Sequence, residues 1–271
     1  MRQARAYAKI NLALVVGPLR DDGLHEVVTV LQRIDLHDGI ALAPVDELTV
    51  EGFAGDTIVR KALQELARAA DVEPRWRVRI EKRIPVAAGL GGGSADAAAA
   101  LVLANALVPR PLPRDRLHEI AAGLGADVPF FLREGPQLGT GDGTELVSVA
   151  LPDDFHIAVV VPHGATKGST AAVYDAFDAR GGAAGFDERA AVVRRALASI
   201  GAARDLAALP ANDLASSPLA QELSSLGAFR ADVSGAGPAV YGLFERRGEA
   251  ERAAEALAAA GRTLVSRPVA R

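Results

Sequence analysis

The chain has 271 residues, 49% of them hydrophobic and 24% charged, with a net charge of −4, the composition of a folded globular protein with room for two modest domains. That balance excludes a broad electrostatic footprint for nucleic acid, which needs clustered Lys and Arg, and the absence of cysteine excludes disulfides and thiolate metal sites. The five histidines form no HxxxH or HxH pair, the N-terminus lacks the apolar core of a signal peptide, and no uncharged run approaches a membrane span, so a cytoplasmic protein with no zinc-type site, nucleic acid or membrane partner is expected.

From Ala4 to Val16 the even positions Ala4, Ala6, Ala8, Ile10, Leu12, Leu14 and Val16 are apolar, while Arg5, Tyr7, Lys9 and Asn11 hold odd ones. This period of two predicts a long opening strand with one face in the core and Lys9 and Asn11 side by side on the other. Asp21-Asp22-Gly23 closes it as a turn, and Val27 to Leu36 and Gly39 to Ala43 read as further strands. Asp56 can cap a helix carrying Val59, Ala62, Leu63 and Leu66 at helical spacing, after which Trp76 to Ile80 returns to strand. The basic run Arg75 to Arg83 alternates like the solvated face of that strand and is assigned no function.

Ile84-Pro85-Val86 then leads into a glycine-rich loop and an alanine-rich helix beginning near Ser94. A second helix from about Arg114 to Gly123 gives way to a turn at Gly125 to Phe131, and Gly139 to Gly143 is another turn cluster. After Pro152 the pattern restarts with a buried strand from His156 to Val161, which sets an expected domain boundary between residues 1–152 and 153–271. The second part reads as helices near Ser169 to Ala179 and Glu188 to Ile200, a strand near Ala239 to Phe244, a helix near Glu249 to Ala260 and a last strand near Leu264. That order is α+β rather than a strict βαβ alternation.

The loop Pro85-Val86-Ala87-Ala88-Gly89-Leu90-Gly91-Gly92-Gly93-Ser94-Ala95 is the first candidate for chemistry. Without β-carbons it can approach a polyphosphate closely, with backbone N–H groups converging on the anion at the following helix N-terminus. The same spelling also suits a plain strand-to-helix turn of small residues. It is not a Walker loop, since no Gly-Lys-Ser or Gly-Lys-Thr follows, nor a dinucleotide fingerprint, since Ser94 replaces the third glycine, which disfavours a nicotinamide oxidoreductase. Ser94 is a candidate helix cap and a candidate ligand, through the phosphates, of Mg²⁺. Asp96, in the first helical turn, is left unassigned.

Lysine is scarce, at four positions (Lys9, Lys61, Lys82 and Lys167). Lys9 reads either as a solvated strand residue or as a cation for catalysis, and Asp127, before Val128-Pro129, either as a turn former or as a base. A kinase needs both a group for the proton of the attacking hydroxyl and a cation for developing charge.

Together these blocks resemble the GHMP kinase superfamily of small-molecule kinases. Ala8-Lys-Ile-Asn-Leu12 is similar to its first motif, Ile84 to Ala98 to its long ATP loop, Gly125-Ala-Asp-Val-Pro-Phe-Phe131 to its catalytic aspartate motif, and Val233-Ser-Gly-Ala-Gly-Pro238 to its late glycine motif; Asn212-Asp-Leu214 and Ser169 to Tyr174 also fit. The resemblance implies an α+β, two-domain fold, with an N-terminal domain like the second domain of ribosomal protein S5 and a ferredoxin-like C-terminal domain. It implies ATP and Mg²⁺ as cofactors, Lys9 and Asp127 as catalytic residues, and Pro85 to Ala95 as the nucleotide loop.

The three glycines before Ser94 are similar to those of the branch that phosphorylates the 2-hydroxyl of a cytidine-diphosphate-linked methylerythritol, in the non-mevalonate route to isoprenoid precursors. By that likeness Asn11, His25, Thr170 and Tyr174 would meet the substrate, in a monomer or homodimer. Where this branch usually has Gly-Tyr-His, the chain has Gly23-Leu24-His25, so Leu24 offers apolar contact without a π face; Asp56 falls where asparagine is more usual near the nucleoside. The alternatives are a homoserine, mevalonate or sugar kinase of the same superfamily, and a non-catalytic nucleotide-binding protein.

Overall fold

The computed structural model describes residues 1–53, 58–164 and 170–269; the expected cap Asp56 and residue Ser169 lie outside them. The chain divides into two compact units, one formed by Met1–Ala8, Leu36–Val86 and Gly91–Glu134, the other by Lys9–Asp35, Ala87–Leu90 and Gly135–Arg271. The opening strands β1 (Arg2–Leu19) and β2 (His25–Pro44) contribute residues to each. Where two strands were expected between Val27 and Ala43, β2 runs unbroken. Gly39 does not interrupt it, because it stands opposite Glu81 in the ladder and the Glu81 side chain covers it, 3.3 Å from where its own Cβ would sit.

The first unit adds β3 (Thr49–Glu51), α1 (Ile58–Ala69), β4 (Trp76–Glu81), α2 (Gly92–Asn105), α3 (Arg114–Ala122) and a 3-10 turn, Pro129–Leu132. β4 pairs antiparallel with β2 and parallel with β3. Trp76, Val78 and Ile80 point inward while Arg77, Arg79 and Glu81 are exposed, the alternation read from the sequence. The inner face joins Val59, Leu63 and Leu66 of α1 and Ala97, Ala100 and Leu101 of α2 in one core. The alanines of α2 let it lie buried along most of its length and pack against α1, since a side chain of one carbon allows close helix approach.

The second unit contains the hairpin β5 (Gln137–Thr140) and β6 (Glu145–Ser148), then β7 (His156–Pro162), α4 (Thr170–Ala179), α5 (Phe186–Ser199), a 3-10 segment Ala203–Ala208, α6 (Pro218–Ser225), β8 (Arg230–Val233), β9 (Val240–Phe244), α7 (Arg247–Ala256) and β10 (Gly261–Ser266). The turn cluster expected at 139–143 is the hairpin itself, with Gly139 and Thr140 already in β5. Thr29 to Leu31 of β2 pair with β5. The other strands form an antiparallel sheet in the order β10-β7-β9-β8, the ferredoxin-like arrangement. Ala158, Val160, Val240 and Phe244 of this sheet bury against Leu223 of α6 and Ala250, Ala253 and Leu257 at α7. β8 escaped the sequence reading because two of its four residues are charged: Arg230 and Asp232 are buried as an ion pair at 3.2 Å, and Arg230 also donates to the Leu209 and Pro210 carbonyls.

Leu63 is fully buried at the α1 face of the first core. Leu63→Ala is expected to lower unfolding free energy by about 2–5 kcal/mol in urea melts, whereas Leu226→Ala, at an exposed position, leaves the midpoint unchanged.

Candidate active site

Lys9 and Asn11 are next-but-one neighbours on β1, so the strand's period of two puts them on the same face. In the second unit the Lys9 ammonium donates to Asn11 Oδ1 at 2.6 Å, Asn11 Nδ2 donates to Thr29 Oγ1 at 2.9 Å, and the Thr29 hydroxyl donates to the Ala13 carbonyl at 2.8 Å. The face is not solvated: Lys9 is 2% and Asn11 4% exposed. The Tyr241 hydroxyl, from the middle of β9, donates to the Asn11 carbonyl at 2.9 Å, so side chain and backbone of Asn11 are both held. Thr29 and Tyr241 were not singled out in the sequence because each lies in an ordinary apolar strand pattern.

The middle of the glycine-rich loop, Ala87–Leu90, also belongs to the second unit. Lys9 N–H donates to the Leu90 carbonyl at 3.0 Å and Ala239 N–H to the Ala88 carbonyl at 2.9 Å. The Ser234 hydroxyl donates to the Gly89 carbonyl at 3.0 Å. Gly89 has φ +83°, and a Cβ there would lie 2.2 Å from the Ser234 carbonyl oxygen, so both conformation and space demand glycine. Gly235 brings the late glycine motif within 3.4 Å, measured from a Cβ added to it, of Lys9 Nζ and Asn11 Oδ1. Three of the four sequence blocks thus meet around Lys9 within one unit.

The loop's ends belong to the first unit. Pro85 is half-buried and Val86 exposed. The helix starts two residues earlier than expected: Gly91 is the N-cap, in the left-handed region at φ 72°, and Gly92 and Gly93 are already helical. Ser94 is therefore not the cap but a first-turn residue, because consecutive glycines let the chain enter the helix before it. The amides of Gly92, Gly93 and Ser94 stand at an N-terminus with no side-chain cap, where the helix dipole favours an anion. Asp127 is half-buried in the turn that precedes the 3-10 segment, and that segment packs against α2.

A group missed in the sequence lies beside this helix start. Lys82 Nζ bridges Asp38 Oδ2 at 2.6 Å and Asp96 Oδ2 at 2.8 Å, with both carboxylates buried. The available signal was the rarity of lysine, set aside because Lys82 sits in the alternating basic run. Burial pushes the Asp96 carboxyl up to about 7, against the opposing pull of Lys82. Burial also works against the Lys82 ammonium, but hydrogen bonds to Asp38 and Asp96 outweigh it and raise its pKa.

The remaining expected substrate residues cluster in the second unit. The His25 ring stacks on Tyr174 with centroids 4.9 Å apart and planes at 29°, and Phe177 meets it edge-on at 5.9 Å. His25 Nδ1 lies 2.9 Å from the Gly17 carbonyl and Nε2 3.3 Å from Asp178 Oδ2. Thr170 opens α4, one turn before Tyr174, and is exposed; Leu24 is 49% exposed. Among the described residues no group of three or more His, Cys, Asp or Glu could hold a metal ion by itself, and no helix is long and apolar enough to cross a membrane.

The family described as GHMP kinases N terminal domain matches residues 57–135, and the one described as GHMP kinases C terminal matches residues 189–263. The 4-diphosphocytidyl-2-C-methyl-D-erythritol kinase of Salinispora tropica is 41% identical over 95% of this chain and 88% of its own length, and that of Nocardia farcinica is 40% identical over 95% and 89%. The chain belongs to the 4-diphosphocytidyl-2-C-methyl-D-erythritol kinase family. A crystal structure of a 4-(cytidine 5'-diphospho)-2C-methyl-D-erythritol kinase superposes with a TM-score of 0.80 at 31% identity, covering 100% of both chains. The mevalonate kinase of Methanococcus jannaschii, at 13% identity and a TM-score of 0.76 over 99% of this chain and 98% of its own, shares the fold. As a member of the 4-diphosphocytidyl-2-C-methyl-D-erythritol kinase family the chain has the α+β GHMP kinase fold and is an ATP-dependent kinase.

Because the folded-state pKa of Asp96 stands above that of an unfolded aspartate, the folded chain binds more protons across the intervening range, and stability falls as pH rises from the ordinary carboxylate range to about 7. Asp96→Asn removes that dependence. In urea melts the wild type is expected to lose stability relative to Asp96→Asn as pH rises through this window; a constant difference would contradict the assignment.

Proposed function

We propose that this chain transfers the γ-phosphoryl group of ATP to the 2-hydroxyl of 4-diphosphocytidyl-2-C-methyl-D-erythritol, the compound in the names of its relatives, on the non-mevalonate route to isoprenoid precursors. The observation that carries the reading is the buried Lys9 ammonium, aimed by Asn11 beside the docked glycine loop. A phosphoryl transfer requires a fixed cation where charge develops.

In this reading Asp127 takes the proton of the attacking hydroxyl and Lys9 steadies the charge between that oxygen and the phosphoryl group. The phosphates of ATP lie on Pro85 to Ala95, meeting the amides of Gly92, Gly93 and Ser94 at the start of α2; the uncapped first turn supports this fit. Bound with ATP, Mg²⁺ would neutralise phosphate charge, with the Ser94 hydroxyl as its ligand from this chain. Asn11, His25, Thr170 and Tyr174 hold the cytidine-bearing substrate, the aromatic pair His25 and Tyr174 offering a stacking wall. The two matched regions at 57–135 and 189–263 support a division into an ATP-binding domain, 1–152, and a substrate domain, 153–271.

The purified protein with ATP and Mg²⁺ is expected to consume ATP in the presence of 4-diphosphocytidyl-2-C-methyl-D-erythritol but not of mevalonate or homoserine, and the opposite selectivity would overturn the reading. Asp127→Asn is expected to lower kcat by about 10²–10⁴-fold while ATP still binds; unchanged turnover would remove Asp127 from its role. Leu24→Tyr supplies a second π face and is expected to lower KM for the cytidine substrate by about tenfold, the scale of one base–aromatic stack, with kcat unchanged. An unaltered KM would place the base elsewhere.

A further inference from the structure

Lys82, Asp38 and Asp96 belong to one unit, yet they attach to opposite ends of the glycine-rich loop. Asp38 Oδ1 accepts the backbone N–H groups of Arg83 at 2.5 Å and Ile84 at 2.9 Å, the two residues immediately before Pro85. Asp38 Oδ2 accepts from Lys82 Nζ at 2.6 Å, and Lys82 Nζ reaches Asp96 Oδ2 at 2.8 Å, in the first turn of α2 just after Ala95. We propose that Asp38, Lys82 and Asp96 form a cross-brace that fixes the spacing of the loop's two ends and so positions it for ATP; the proposal rests on the reading of Pro85 to Ala95 as the nucleotide loop.

Three further observations point the same way. A Cβ on Gly92 would stand 3.3 Å from Lys82 Nζ and 3.0 Å from Ile84 Cγ2, so the glycine at the helix start is what lets α2 seat against the brace. Lys82 Nζ also lies over the Phe53 ring, 5.7 Å from its centroid, which adds a third wall around the ammonium. Asp38 is fully buried and Asp96 nearly so. Buried carboxylates are costly unless paired and hydrogen-bonded, and a pair whose partners sit at the two ends of one loop transmits its rigidity to that loop. A glycine-rich segment supplies little rigidity of its own. The three side chains are positioning residues: they act on the amides that meet the phosphates, through the backbone at Arg83 and Ile84 and through the first turn of α2.

The test compares Lys82→Met, which removes both arms at similar volume, Asp96→Ala, which removes one, and Asp96→Asn, which keeps an oxygen acceptor for Lys82. Steady-state kinetics with ATP varied and then with the alcohol varied, and calorimetric ATP binding, are measured on each. Lys82→Met and Asp96→Ala are expected to raise the KM and Kd of ATP by about tenfold or more, since small misplacements of binding groups are costly. The KM of the alcohol should stay within about twofold, and Asp96→Asn should restore ATP affinity close to the wild-type value. Folded variants with unchanged ATP affinity, or parallel losses toward both substrates, would overturn the proposal. If Lys82→Met does not fold, Asp96→Ala, which leaves the Lys82 and Asp38 pair intact, decides. A wild type that binds ATP but phosphorylates none of the alcohols would refute the proposed substrate and leave the brace testable by calorimetry.

Discussion

An ammonium buried away from water must be compensated or it deprotonates or drives its surroundings apart, and the structure around Lys9 is organised by that constraint. Its hydrogen bond to Asn11 Oδ1 directs the group. That bond needs Asn11 in one orientation, and the amide is turned by Thr29, which is itself held on the Ala13 carbonyl. The backbone beneath is pinned from β9 by Tyr241. A chain of single hydrogen bonds through residues far apart in sequence therefore sets the direction of one cation, which is how a strand lysine becomes a fixed charge rather than a mobile one.

The glycine loop answers to the same neighbourhood. Its middle is fastened to Lys9 and to the Ser234 to Ala239 segment by backbone and hydroxyl hydrogen bonds, and Gly89 exists as glycine because the Ser234 carbonyl occupies the space of a side chain. Its end winds directly into α2 from a left-handed Gly91. The cost of ordering three glycines is thus offset by docking on one side and by helix entry on the other. Glycine here serves conformation and close approach together, and a loop held this way keeps its amides oriented before any anion arrives.

Much of this was legible beforehand, for physical reasons. The period-two pattern of β1 placed Lys9 beside Asn11, and helical spacing in Val59, Ala62, Leu63 and Leu66 marked α1, because burial on one face leaves its period in the sequence. What was not legible depended on partners distant along the chain. The odd face of β1 proved buried from Lys9 onward, which alternation alone cannot reveal. β8 hid behind Arg230 and Asp232, charges that neutralise each other only once folded. Ser94 resembled a cap, but helix entry was decided by the backbone freedom of the glycines before it. The alternation around Lys82 was read correctly for its exposed neighbours, yet it said nothing of a lysine just past the strand end that turns inward to two carboxylates.

Lys9, buried, and Lys82, half-buried, show how context divides one residue type between roles. Lys82 lies between Asp38 and Asp96, so its charge is met by opposite charge and its effect is mechanical, a tie between chain segments. Lys9 is oriented through Asn11, and the field of an ammonium held in one direction can act on a substrate. A low-dielectric site strengthens that field, but only if the cation cannot swing toward solvent, and the Asn11 and Thr29 relay removes that freedom. A compact ammonium on a flexible stem fits a buried point contact, where a planar guanidinium would require a wider, flatter set of acceptors.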